Sequence, residues 1–93
     1  MSYQVILDDL ALDDLADLPA DIRRRLWRRI EALSEDPRPA AATALTGELR
    51  GFWRLRVGDY RASYSINDKS RVVRVWNAGH RSRFYERITR RRG

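Results

Sequence analysis

Two stretches of this chain carry side chains suited to chemistry. The first is Trp53-Arg54-Leu55-Arg56-Val57-Gly58-Asp59-Tyr60-Arg61. Apolar and basic residues alternate up to Gly58-Asp59, which reads as a two-residue hairpin turn with Gly supplying a positive φ. That loop length pairs Val57 with Tyr60, Arg56 with Arg61, Leu55 with Ala62 and Arg54 with Ser63. Arg54, Arg56 and Arg61 then share one face of the hairpin, and Trp53, Leu55, Val57, Tyr60, Ala62 and Tyr64 share the other. Like charges directly opposite one another destabilise a sheet, and such conflicts concentrate at functional sites. A bound anion would relieve this one, and arginine's planar fork suits phosphate. The same arginines also fit an ordinary solvated face, where water screens their repulsion. A longer loop would shift the register and undo the convergence.

The second stretch is Gly79-His80-Arg81-Ser82-Arg83-Phe84-Tyr85, which holds the chain's one histidine. Histidine is the usual general acid or base near neutral pH, so His80 is a catalytic candidate, with a plain surface residue as the alternative. Gly79 is expected to let the chain leave a strand. Tyr85 is either a reactive phenol or a core aromatic. Basic residues interleaved with Trp53, Tyr60, Trp76, Phe84 and Tyr85 suit RNA, through phosphate contacts and base stacking. Core packing is the alternative reading for each ring, and the favoured one for Trp53 and Tyr60.

Other chemistries are excluded or unsupported. With no Cys there is no disulfide scaffold, thiolate metal site or cysteine nucleophile. The pairs Asp8/Asp9 and Asp13/Asp14 read as the cap and solvated side of a helix, so no metal or cofactor is expected. There is no phosphate-cradling Gly motif and no Gly-x-Ser-x-Gly. No apolar run approaches the roughly 18 residues of a membrane span, and Met1-Ser2-Tyr3-Gln4 is no secretory leader. A cytoplasmic protein without membrane contact is expected.

The elements that must position these residues follow from periodicity. Residues 3–7 read as a strand. Asp8 or Asp9 then caps a helix reaching Leu18, on which Leu7, Ala11, Leu15 and Leu18 share a face. Pro19 opens a second helix with the stripe Ile22, Leu26, Ile30 and Leu33, ending near Glu35 because Pro37 disfavours helix before it. Residues 37–49 read as a loop with one turn of helix. Strands follow at 52–57, 60–66 and 71–77, then a short C-terminal helix over 83–90. The predicted fold is a single α+β domain over residues 1–93, an antiparallel sheet packed by two N-terminal helices. Its 93 residues make one domain and leave little room for a second.

Charge is uneven along the chain. Nine acids against five arginines give the first 36 residues a net −4, whereas four acids against fourteen bases give the remainder +10. The basic part should attract polyanions or an acidic protein. Of the 19 bases only Lys69 is not arginine. GC-rich codon usage would account for that ratio, but not for the asymmetry.

The Tyr-x-Val strand, Leu18-Pro19, Asp36-Pro37-Arg38, Leu45-Thr46-Gly47, the run from Trp53 to Arg61, Gly79-His80-Arg81 and Tyr85 together resemble the RelE/ParE superfamily of bacterial type II toxins. The resemblance spans essentially the whole chain. It implies a compact α+β toxin wrapped by an acidic antitoxin encoded beside it. RelE-like members cut mRNA in the ribosomal A site without metal, the 2′-OH attacking the adjacent phosphate. On that pattern Arg61 binds phosphate, Arg81 stabilises the phosphorane charge and Tyr85 orients or activates the nucleophile. Arg54 and Arg56 fall where the family has lysines and, with Arg83, would contact RNA. Arginine is almost never deprotonated, so His80 or Tyr85 would have to act as base. ParE-like members instead inhibit DNA gyrase without a nuclease site. A non-catalytic basic nucleic-acid-binding module is a third reading.

Overall fold

In the computed structural model, which describes residues 2–81, the chain runs β1 (Gln4–Leu7), α1 (Asp9–Ala16), α2 (Ala20–Ala32), β2 (Thr43–Ala44), a 3-10 turn (Gly47–Leu49), β3 (Trp53–Val57), β4 (Tyr60–Asn67) and β5 (Val72–His80). The expected C-terminal helix, with Arg83 and Tyr85, lies outside the described residues. Asp8 is the N-cap of α1, its carboxylate accepting from the Leu10 N–H at 3.1 Å. Pro19 opens α2 without a side-chain cap. Instead, Arg23 reaches back to the carbonyls of Ala16 and Leu18, both at 3.4 Å. The guanidinium thereby satisfies carbonyls that the end of α1 leaves without helical partners.

The hairpin register is the predicted one. Val57 faces Tyr60, Arg56 faces Arg61, Leu55 faces Ala62 and Arg54 faces Ser63. Gly58 has φ +58°, the left-handed conformation this turn requires. The complete sheet differs from the antiparallel one expected. It has five strands in the order β1-β5-β4-β3-β2, and β1 lies parallel to β5, so the sheet is mixed. Nothing local to a short apolar strand specifies its partner or direction. Here the α1–α2 pair carries the chain over one face and leaves β5's free edge to β1. The stretch read as loop contributes the two-residue edge strand β2.

β5 also continues to His80, beyond the expected end at Asn77. A bulge makes this possible. Ser63 faces Asn77 while Tyr64 faces Val75, so Trp76 is an extra residue on β5. Gly79 therefore does not release the chain. It lies within the strand opposite Arg61, because pairing with β4 persists to the Tyr60–His80 pair.

Both helices cover one face of the sheet. Ala11, Leu15, Leu18, Leu26, Ile30 and Leu33 pack against Leu55, Val57, Ala62, Tyr64, Val73, Val75 and Ala78, all buried. Trp53 and Tyr60 are partly buried against the same cluster, which bears out the packing reading of their rings. Tyr64 donates its hydroxyl to the Pro37 carbonyl at 2.7 Å, and burial raises its phenol pKa. Asp14 departs from expectation. It is not on the solvated side of α1 but buried, its carboxylate accepting from the Ala78 N–H at 3.0 Å. β1 pairs with β5 only as far as Val75, so Asp14 supplies an acceptor to a strand edge that β1 no longer covers.

An exposed strap ties the chain's start to its middle. Asp68 accepts from the Arg38 guanidinium at 3.2 and 2.7 Å and from the Tyr3 hydroxyl at 2.6 Å. The Arg38 hydrogen bond, then that of Tyr3, lowers the Asp68 carboxyl pKa from 3.8 to about 2. Since the folded pKa is the lower one, this stabilisation is present above about pH 4 and disappears as pH falls towards 2. In urea melts, the stability difference between wild type and Asp68→Asn should close over that window, and a difference constant with pH would contradict the assignment. Leu26, fully buried, supplies the second check. Leu26→Ala should cost about 2–5 kcal/mol, read as a lowered denaturation midpoint.

Candidate functional site

Alternation along β3 and β4 places Arg54, Arg56 and Arg61 on the sheet face that the helices do not cover. The directly opposed pair, Arg56 and Arg61, is held apart by the turn between them. Arg56 Nε donates to the Gly58 carbonyl at 3.1 Å, and an Arg61 amino group to the Asp59 carbonyl at 3.5 Å. The same turn holds Arg81. Its backbone N–H donates to the Asp59 carbonyl at 2.7 Å, and its guanidinium lies 4.0 Å from the Asp59 carboxylate. Three of the arginines singled out in the sequence are thus anchored on two consecutive turn residues. In the sequence Asp59 reads as a turn residue alone; its second role arises because the end of β5 brings Arg81 beside it.

Arg54 and Arg61 are half-buried and their Nε atoms are buried, whereas Arg56 and Arg81 are exposed. Partial burial strengthens the pull of a fixed cation on an anion, because less water screens it. In the same row as Arg54, across β4 and β5, Ser63 and Asn77 are fully buried, and the serine hydroxyl donates to the Asn77 amide oxygen. Beyond them lies an aromatic shelf. Phe52 and Trp76 meet edge to face at 6.5 Å, Arg74 sits 5.4 Å over the Trp76 ring, and the Trp76 N–H donates to Ser65 at 2.9 Å. The bulge at Trp76 turns this ring towards the arginine side, a placement with no signature in the sequence.

His80 is held elsewhere. It pairs with Tyr60 and packs edge-on to that ring at 5.3 Å. Paired residues share a face, so His80 lies on the Tyr60 side of the sheet and Arg61 on the other. The structure therefore brings Arg54, Arg56, Arg61 and Arg81 to the hairpin end and separates His80 from them. Arg83 and Tyr85 lie outside the described residues. No cluster of three metal-ligating side chains occurs among the described residues, and no helix among them is long and apolar enough to cross a membrane.

Two helices on one face of a mixed five-stranded sheet, with arginines on the other, define a RelE-like α+β fold. The chain matches the ParE toxin family of type II toxin–antitoxin systems, parDE, over residues 5–85. It belongs to this RelE/ParE family and is a type II toxin. No curated protein sequence matches it. Among solved structures it is similar to the RelBE2 toxin–antitoxin complex of Mycobacterium tuberculosis, with 30% identity, a TM-score of 0.76, and 86% of this chain and 99% of that one covered. The archaeal RelE–RelB complex of Pyrococcus horikoshii is comparable, with 30% identity, a TM-score of 0.75, and 89% and 99% covered. A double-arginine variant of the E. coli toxin RelE shares the fold at 24% identity, with a TM-score of 0.76 and 98% of each chain covered.

Asp14 supports β5, the strand that leads into Arg81. Asp14→Ala leaves the buried Ala78 N–H without this acceptor and should cost about 1–3 kcal/mol. Asp14→Asn keeps an acceptor oxygen and should lose less. Urea denaturation of both variants checks this, and equal losses would contradict the hydrogen-bonding role.

Proposed function

We propose that this toxin is an endoribonuclease that cleaves mRNA in the ribosomal A site. The observation that carries the reading is the sheet face on which Arg54 and Arg61 are half-buried while Arg56 and Arg81 are fixed to the Gly58-Asp59 turn. The RelE-containing relatives at 30% identity support it. In the reaction the ribose 2′-oxygen loses its proton and bonds to the adjacent phosphorus. The bond to the 5′-oxygen breaks, and that oxygen takes up a proton, leaving a 2′,3′-cyclic phosphate and a 5′-hydroxyl. Arg61 binds the phosphate. Arg81 stabilises the charge that builds on the phosphorane, where a preset cation acts without reorganising. Tyr85 orients or activates the nucleophile. Arg54, Arg56 and Arg83 hold the RNA backbone, and the aromatic shelf of Phe52 and Trp76 offers bases a stacking surface.

In this reading His80 is the weaker candidate for the base, because its ring lies with Tyr60 across the sheet from Arg61. The partner that restrains the toxin is an acidic antitoxin, which neutralises the arginine face. The relatives crystallised with RelB antitoxins support this.

The match to the ParE family favours a second reading, a gyrase inhibitor without nuclease activity. Primer extension on mRNA in a purified translation system separates the two. Cuts at fixed codon positions that need the ribosome, and that fall about 10²–10³-fold in rate in Arg81→Ala, are the expected result. Intact mRNA from protein that still arrests growth, with loss of DNA supercoiling by gyrase, would establish the second. Full growth arrest by Arg81→Ala would overturn the assignment of Arg81.

A further inference from the structure

Three large apolar side chains remain exposed among the described residues, and all lie on the helices: Leu10 (49% exposed), Leu12 (45%) and Trp27 (38%). None belongs to the arginine face, which is on the opposite side of the sheet. The helices that carry them have opposite charge. With Ala11, Asp14 and Leu15 buried, the 3.6-residue repeat turns Asp9, Leu12, Asp13, Ala16 and Asp17 outward on α1. On α2, a groove of about 330 Å³ is lined by Arg23, Arg24, Trp27, Arg28 and Glu31. Arg23 bonds the carbonyls of Ala16 and Leu18, so this flank of α2 adjoins the C-terminal end of α1.

We propose that this helical face is an interface with a second copy of the chain, in which α1 of each copy docks on α2 of the other about a twofold axis. The spacing fits on both sides. Asp9 and Asp13 are one helical turn apart, as are Arg24 and Arg28, and each apolar anchor, Leu12 or Trp27, lies beside its charged pair. A C2 interface needs one self-complementary patch, and an acidic-apolar helix beside a basic-aromatic one meets that condition twice. Trp and Arg are the residues that most often anchor interfaces. An RNA strand or a wholly acidic peptide would satisfy the arginines of α2 but be repelled by Asp9, Asp13 and Asp17 on the adjoining helix. A second copy presents both signs, and pairing through the helices leaves the arginine face uncovered.

The test is the mass of the full chain, purified away from its antitoxin, by light scattering over a concentration series. A dimer that dissociates in 1 M salt is expected, since charge interactions are then screened within about 3 Å. Arg24→Glu with Arg28→Glu should raise the dimer dissociation constant at least about tenfold, because like charges then oppose across the interface. Asp9→Arg with Asp13→Arg should do the same. Mixed together, the two variants should form a heterodimer, since each reversed patch then meets its complement. That rescue cannot arise if either variant fails to fold. A wild-type chain monomeric throughout the series would overturn the proposal, as would a dimer indifferent to both reversals. A monomer whose Trp27 is shielded only in the antitoxin complex would assign this face to the antitoxin instead.

Discussion

The two-residue turn at Gly58-Asp59 is the constraint on which the rest of this structure depends. Its length sets the β3–β4 register, and a slip of one residue would exchange the two faces of the hairpin. In the observed register Leu55, Val57, Ala62 and Tyr64 reach the helices, and the arginines are turned away from them. The turn also acts directly on the site, because its carbonyls and the Asp59 side chain hold Arg56, Arg61 and Arg81. Repulsion between Arg56 and Arg61 is met within the turn by partial negative charges on its backbone. One short segment thus defines the core face, the basic face and the direction of the cations.

The remaining structure extends and supports this hairpin. β5 pairs along β4 through the bulge at Trp76 and so carries Arg81 to the turn. β1 covers only the first part of β5's outer edge. Asp14, buried on α1, bonds the Ala78 N–H beyond that point, linking a helix to the strand that presents Arg81. At the other end of the sheet, Tyr3, Arg38 and Asp68 join β1, the segment after α2 and the β4–β5 turn. Polar groups therefore hold the two ends of the sheet, while the apolar cluster holds its centre.

Division of labour between the faces follows from this layering. The helical face buries the core and leaves an outer surface of mixed charge. The opposite face carries like charges that a polyanion or an acidic antitoxin would neutralise. The negative first third of the sequence and the positive remainder reflect this arrangement. The acids are concentrated on and around α1, whereas Arg54 and Arg56 lie on β3, Arg61 on β4 and Arg81 directly after β5.

Much of this was legible in the sequence, and the limits have a physical pattern. The two helices, their buried stripes, the hairpin register and the shared face of Arg54, Arg56 and Arg61 could be read directly, because each depends on a local repeat or on the dihedral angles of a turn. The run through Gly58-Asp59-Tyr60-Arg61 likewise pointed to the toxin family. Tertiary structure decided what depends on distant partners. It paired β1 parallel with β5, inserted Trp76 as a bulge, kept Gly79 within a strand, buried Asp14 and placed His80 with Tyr60 rather than with Arg61. Each of these outcomes is set by which backbone groups remain to be paired after the sheet has assembled, and no stretch of sequence carries that information by itself.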